Sequence, residues 1–461
     1  MKYENLKDEL LSTVDTGLKY ARTVDNEAEF ELYLFYQNRA GVSITQGVVE
    51  ASEGIIKGNA VRIVRQNSVS FASSSGISID RIKRSVNEAM ASLRSVSIKD
   101  ERFKGFCTPE KPGREGAFTR EILDLSKEEL VDYAGNMVKE GQEFDKRIKT
   151  VGSECSAEWG GFAVGNTQGL QQASRSALNS CEVYCIAVNG EERRTCYEFD
   201  TTRERLIKTG GLGKKAAQRA VSLLGARKLN KTTVLPTIWE PRAAGAYIYF
   251  SLGQSAKGEY IVEGRSPIAD KIGEEIANPK LTITDNGQNP SGINTEAIDA
   301  EGYPQQKTTI LDRGKLNQFL FDTYYAHIHS SESTGNCSRR ARGTLPYETA
   351  PLIRPKNLEI KPGSKNLGDL IASMDGQAIL IVDAPIGILH SNVSTGEFSA
   401  VAQSVFLVEN GDKKWPLQPV SVSGSFYTGL KQLLDVGGDL TKTVFTVETP
   451  TLVFDGFSIV G

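Results

Sequence analysis

Histidine is scarce: His327, His329 and His390 are the only three in 461 residues. None stands in HExxH or HExxxH spacing, so the helix motif that pairs two imidazoles on a hydrolytic zinc is missing. Long apolar runs are missing too. The longest, such as "AILIV" at 378–382, fall far short of the ~20 residues of a membrane-spanning helix. Met1 to Ala21 is a charged amphipathic stretch without the apolar centre of a signal peptide. No charge of one sign dominates. The 54 Lys and Arg against 57 Asp and Glu leave a formal net charge of -3, which gives no bulk attraction to nucleic acid or anionic membrane. Six cysteines without a leader do not make a disulfide framework in so long a chain. Cys107, Cys155, Cys181, Cys185, Cys196 and Cys337 therefore read as reduced thiols of a cytoplasmic protein.

What is present is an ordinary globular composition long enough for roughly two to three domains, with 44 glycines spread along the chain as turns between strands. Leu6, Leu10, Leu11, Val14, Leu18 and Ala21 mark one face of an opening helix. "AEFELYLFYQ" alternates Phe30, Leu32, Leu34 and Tyr36 against Glu29 and Glu31, the pattern of a half-buried strand. More strands and a helix over Ile79 to Leu93 follow, with Ser78 as its cap. Ser126 and Glu129 form a capping-box signature for a third helix. Thr150 to Asp200 reads as strands, and Leu212 to Leu224 as a helix with a small-residue face ending at Gly225. We place a boundary near Lys231, giving an N-terminal α/β unit, 1–230, and a mainly-β unit, 231–461. The whole is an α+β plan.

The second unit opens on a helix with Pro241 in its first turn. It continues through a break at Gly264–Pro267 to the strand "KLTITDNG", where Asp285-Asn286-Gly287 should turn. A hairpin is expected to turn at Asp312-Arg313-Gly314. "FDTYYAHIH" reads as a helix, on which His327 and His329 point ~200° apart and would not chelate one ion; on a strand they would share a face. His390 reads as an isolated, hydrogen-bonded histidine. Cys181 and Cys185 fit buried small apolar residues, since no second ligand pair is nearby. "KTGGLGKK" (208–215) fails as a phosphate loop because Lys208 and Lys215 occupy its first glycine and its hydroxyl position. Its Gly211, Gly213 and Ala216 fit a loose GxGxxA without a clean strand before it. In "STGNCSRRARG", arginines beside Cys337 could lower its thiol pKa, though no histidine base adjoins it in sequence. Arg339, Arg340 and Arg342 form the densest basic patch, either a solvated surface or a site that captures a carboxylate.

The run "EGRSPIADKIGEEIA…LTITDNG" resembles the TldD/PmbA family, once described as modulators of DNA gyrase and now regarded as peptidases. In its TldD branch the helix before this glycine carries HExxxH; here "YFSLGQSAKGEYIVEG" has no histidine. A cysteine near the C-terminus completes that zinc site, whereas "VGGDLTKTVFTVETPTLVFDG" has none. The chain thus resembles the PmbA, or TldE, branch. "STGNCSRRARG" is similar to the family's glycine-asparagine-arginine loop at the central cleft, and Thr395, Gly396, Glu397, Phe398 and Ser399 to its "TGDFS" segment. The resemblance implies a C-terminal domain on a curved antiparallel sheet or barrel. It implies no catalytic residue, metal or cofactor in this chain, and zinc in a TldD-like partner subunit. A flexible peptide would be the substrate, and a homodimer is open for the isolated chain. Substrate or partner contacts would come from Asn336, Arg339, Arg340, Arg342, Asn392, Thr395, Gly396 and Glu397. The rival reading is a regulatory binding protein without peptidase involvement. A third is a self-sufficient hydrolase using Cys337.

Overall fold

The computed structural model describes residues 1–95 and 99–461. Its first half is one antiparallel sheet. The strands are β1 (Glu29–Thr45), β2 (Val48–Arg65), β3 (Ser68–Ser75), β4 (Ile148–Asn166), β5 (Gln171–Asn189) and β6 (Glu192–Thr202), ordered β3-β2-β1-β4-β5-β6. Helices α1 (Leu6–Val24) and α2 (Ile79–Ser95) pack on one end of a face, and α3 (Lys127–Phe144) and α4 (Leu212–Ser222) on the other end. On β1 the helix side takes Phe30, Leu32, Leu34, Tyr36, Val42 and Ile44, a single parity, as a strand requires. The capping box forms: Ser126 Oγ accepts from Glu129 N–H, and Ser126 N–H donates to the Glu129 carboxylate.

The expectation of a half-buried β1 is corrected. Tyr33 and Phe35, on the opposite parity, are also buried, against Ile298, Ala300, Cys337 and Tyr347 from the second half of the chain. Glu31 shares that face and is fully buried. A second layer from a distant segment covers the side that alternation assigns to water.

The second half begins with β7 (Thr232–Trp239) and three short helices, α5 (Pro241–Phe250), α6 (Leu252–Ser255) and α7 (Gly258–Val262). Next come β8 (Ile283–Asn286), the hairpin β9 (Lys307–Asp312) and β10 (Lys315–Leu316), and α8 (Thr323–Ile328). A small ladder joins β11 (Cys337–Ser338) to β12 (Leu352–Ile353), followed by β13 (Leu358–Ile360), α9 (Leu367–Ala372) and β14 (Gln377–Ile381). The chain then runs through β15 (Glu397–Ala402), β16 (Val405–Glu409), β17 (Asp412–Leu417), β18 (Val420–Ser425), α10 (Phe426–Lys431), β19 (Leu433–Val436), β20 (Thr441–Lys442), β21 (Val447–Thr449) and β22 (Leu452–Val460).

Two larger sheets result, β15-β18-β22-β7-β14-β16-β17 with β19 on β22, and β10-β9-β8-β13-β21-β20. The fold is mixed α and β as expected. Each of these sheets contains one parallel pair, β7 with β14 and β13 with β21, and neither closes into a barrel. The hairpin turns where the sequence places it: Arg313 and Gly314 have φ of 47° and 77°, the left-handed pair that a two-residue hairpin needs. Asp285 is the exception. It lies inside β8, buried, and its carboxylate accepts N–H bonds from Lys356 and Asn357.

Where α5 and α10 pack on β7, β15 and β22, an aromatic core holds Trp239, Tyr247, Phe398, Phe426, Phe454 and Phe457. Tyr247 is fully buried, and its hydroxyl donates to Phe426 O at 2.8 Å. Pro241 sits in the first turn of α5, and Tyr247 thus pins the helix that walls the site described next.

Candidate functional site

An open cleft of ≈ 710 Å³ lies beside α5. One wall is Tyr249, Phe250, Gln254, Lys257 and Tyr260. The helical stretch is broken here: Ser251 takes φ -97°, ψ -94°, and Lys257 is extended between α6 and α7. Arg340, Ala341 and Arg342 line a second side, with Leu352 and Arg354 beneath them. Leu389, Ser391, Val393 and Phe445 complete it. Among the described residues four cations line this space and no carboxylate does. Tyr249, Phe250 and Phe445 form an aromatic triad with centroid separations of 5.1–5.7 Å.

The structure divides the residues expected to bind. Arg340 and Arg342 line the cleft and are exposed. Arg339 does not belong with them: it is 2% exposed, bonds Glu31 at 2.8 Å and Thr349 O at 3.1 Å, and lies over the Tyr33 ring. Successive residues of an extended segment point to opposite sides, so Arg339 enters the interface with the first-half sheet. Asn336 is also internal, its amide donating to Asp285 Oδ2 and Arg354 O. Asn392, Thr395, Gly396 and Glu397 do not line the cleft. Asn392 Oδ1 accepts from Ser394 and Thr395 N–H, and Thr395 Oγ1 from Glu397 N–H, so this segment builds its own turn and sends Leu389, Ser391 and Val393 to the site. Sequence reasoning missed Lys257, Arg354, Tyr249 and Tyr260, which lie on separate segments and form no spacing motif.

Two family models match the chain, described as the PmbA/TldA metallopeptidase central domain over residues 120–224 and C-terminal domain over 232–461. The chain belongs to the PmbA/TldD family. It is 24% identical to the metalloprotease PmbA of Escherichia coli O157:H7, over 98% of this chain and 96% of that one. Among solved structures, TldE from Thermococcus kodakarensis is similar with TM-score 0.88 and 23% identity, over 97% of this chain and all of that one. A putative modulator of a DNA gyrase from Thermotoga maritima is similar with TM-score 0.83 and 21% identity, over all of both chains.

A metallopeptidase family raises the question of which PmbA/TldD-type residues here could hold a metal. Among the described residues, Asp299, Glu301 and Cys337 bring ligand atoms within 4.8 Å of one another, all buried. Their chemistry does not fit a catalytic zinc. Asp299 accepts N–H bonds from Glu301, Tyr303 and Cys337, and Glu301 accepts from Arg62 and Thr323 N–H. Burial, with the Glu301 carboxylate adding to it, pushes Asp299 up to about 7. Burial and the same carboxylates push the Cys337 thiol well above its usual range, the reverse of the activation its neighbouring arginines suggested. A cysteine binds zinc as its thiolate and a catalytic zinc keeps a position open to water, whereas this thiol is held in its protonated form and all three residues are buried. Cys337 is fully buried, and no histidine bonds it among the described residues.

No histidine lines the cleft, although His390 lies between Leu389 and Ser391, which do. His327 is on α8, His329 follows it with its ring centroid 5.0 Å from that of Phe321, and all three histidines are exposed. His390 makes no side-chain hydrogen bond to any described residue, against expectation, because it sits on an exposed turn at Ile388–His390. Cys181 and Cys185 are buried opposite Cys155 and Cys196 across neighbouring strands. The glycines of "KTGGLGKK" serve packing: Gly211 N–H donates to the Glu140 carboxylate, and a Cβ on Gly213 would stand 2.0 Å from Met137 O.

Proposed function

We propose that this chain is the metal-free, PmbA/TldE-type subunit of a cytoplasmic two-subunit zinc metallopeptidase. Its cleft holds part of a flexible peptide that is cut at the zinc of a TldD-like partner. The observation that carries the reading is the composition of the cleft. Amide hydrolysis needs an activated water or a nucleophile with a base. The α5–α7 wall offers Tyr249, Gln254, Lys257 and Tyr260 where a zinc hydrolase would place imidazoles. Among the described residues the serine in the lining is Ser391, which donates its hydroxyl to Ile388 O and makes no hydrogen bond to its sequence neighbour His390. A surface that can bind peptide and cannot cut it suits a subunit that completes another's site.

The test is coexpression with a TldD-like subunit and assay of flexible peptides. Turnover should appear only in the combined complex and vanish with chelator. Peptide cleavage by the isolated chain at the rate of the complex, with about one zinc held per chain, would overturn the proposal. So would gyrase co-purifying in place of any peptidase subunit.

A further inference from the structure

We propose that the cleft beside α5 is a carboxylate-reading subsite for extended peptides, in which Arg342 and Arg354 bind the anionic group and the Tyr249–Phe250–Phe445 triad packs the adjoining chain. It deepens the proposed function, naming the chemical class of segment that this subunit holds.

The argument begins from charge that the fold leaves unmatched. Of the four cations lining the cleft, Lys257 pairs with Glu259 at 2.6 Å and Arg340 with Glu296 at 3.4 Å. Arg342 and Arg354 have no carboxylate within 4.0 Å among the described residues. Arg354 is only partly exposed. Its guanidinium meets neutral partners, Nη1 donating to Arg340 O at 2.8 Å and Nη2 to Tyr249 Oη at 3.3 Å. A guanidinium drawn partly out of water against neutral acceptors has lost hydration without gaining a counter-ion. Those two bonds also fix its plane, and a fixed fork matches a carboxylate in two parallel hydrogen bonds. Arg342 stands at the rim, where it draws an anion in without a prior partner to displace.

The apolar wall selects a peptide over a bare anion. Tyr249 and Phe445 stack at 5.7 Å with 24° between their planes, and Phe250 meets Phe445 edge-on. Tyr249 thus joins the arginine and the aromatic wall, so a ligand reaching Arg354 brings its neighbouring atoms onto the rings. A cleft of ≈ 710 Å³ admits a short extended segment and excludes a nucleic-acid duplex. The carboxylate can be the peptide's own C-terminus or an Asp or Glu side chain; the site chemistry is the same.

Fluorescence anisotropy on the purified full chain tests this without any peptidase readout. The probes are one labelled peptide ending in aromatic and Glu residues, its C-terminally amidated form, and its Glu→Gln form. The acidic peptide should bind saturably. Weakening by amidation alone assigns the terminus, and weakening by Glu→Gln alone assigns an acidic side chain. Arg342→Glu and Arg354→Gln should each weaken the acidic peptide about tenfold or more, with Lys146→Glu, exposed and outside the cleft, matching wild type. Arg342 is exposed, so its variant folds whatever Arg354→Gln does. Equal binding of all three peptides, no saturable binding, Arg342→Glu behaving like Lys146→Glu, or a single-stranded oligonucleotide competing as well as the acidic peptide would each overturn the proposal. A complex whose activity survives chelator would sink the peptidase reading and leave this binding result standing.

Discussion

Replacing Arg339 by methionine should destabilise the protein far more than the same change at Arg340, one residue on. Arg339 is the end of an alternating chain of buried charge. It bonds Glu31, Glu31 is held by Arg62, and Arg62 reaches Glu301 at 2.9 Å. Two cations and two anions balance. Arg339→Met leaves Glu31 and Glu301 sharing one guanidinium in a site closed to water. Removing one partner of a buried pair costs about 3–5 kcal/mol, a large part of a typical net stability of about 5–15 kcal/mol. The Arg340–Glu296 pair is half-exposed and 3.4 Å long, so Arg340→Met should cost about 1 kcal/mol or less. Adding Glu31→Gln to Arg339→Met restores a one-to-one match between Arg62 and Glu301, and the double variant should be more stable than Arg339→Met alone. The assay is urea unfolding followed by tryptophan fluorescence, with Trp159 reporting the first half and Trp239 and Trp415 the second. A cost for Arg339→Met no greater than that for Arg340→Met, or no recovery in the double variant, would refute the charge-balance reasoning.

Three further outcomes are expected. Alanine at His327, His329 and His390 together should preserve most turnover of the assembled complex, since all three are exposed and none lines the cleft; a correctly assembled variant slowed a thousandfold, about 4 kcal/mol of barrier, would show a catalytic histidine. Asp299, raised to about 7 when folded and near 3.9 when unfolded, keeps a proton in the folded state that the unfolded chain releases. Its contribution to stability is therefore present below about pH 4 and is lost as pH rises to about 7. Urea midpoints should then fall less steeply across that window in Asp299→Asn than in wild type, and equal slopes would contradict the assignment. Gly213→Ala should destabilise by about 1–3 kcal/mol through overpacking against Met137 O, and ATP should not shift the thermal midpoint of either form; a nucleotide-dependent shift lost in the variant would restore the phosphate-loop reading.

Much of the fold is local and was legible. The α3 capping box, the Arg313-Gly314 turn, Pro241 in the first turn of α5 and the parity of β1 all follow from residues within a few positions of one another. What failed is non-local. Glu31 occupies the alternate position that normally faces water, and its partner Arg339 lies 308 residues away, so no periodicity could report its burial. Asp285 and Asn336 look like turn and loop polar residues, and they bond each other 51 residues apart. The site is half legible for the same reason. Arg340 and Arg342 share one conspicuous loop, but Lys257 and Arg354 are isolated cations that only the packing of α7 and β12 brings to the cleft.

That division within one loop carries a consequence for how stability and binding are connected. Cys337 faces the first-half sheet and gives its N–H to Asp299; Arg339, two residues on, enters the same side and ties to Glu31. Arg340 and Arg342 hang from this anchored strand into the cleft, and Arg354 is oriented by the carbonyl of Arg340. The buried charge chain therefore sets the position of the cationic rim without touching anything in the cleft. Removing Arg342 takes away a contact and leaves the anchor whole, so binding should fall at unchanged stability. Removing Arg339 frees the anchor, so stability and peptide affinity should fall together, and Glu31→Gln should recover part of both. If affinity stayed at the wild-type value in a folded Arg339→Met protein, the rim would be held by its own turn and not by the charge between the two halves.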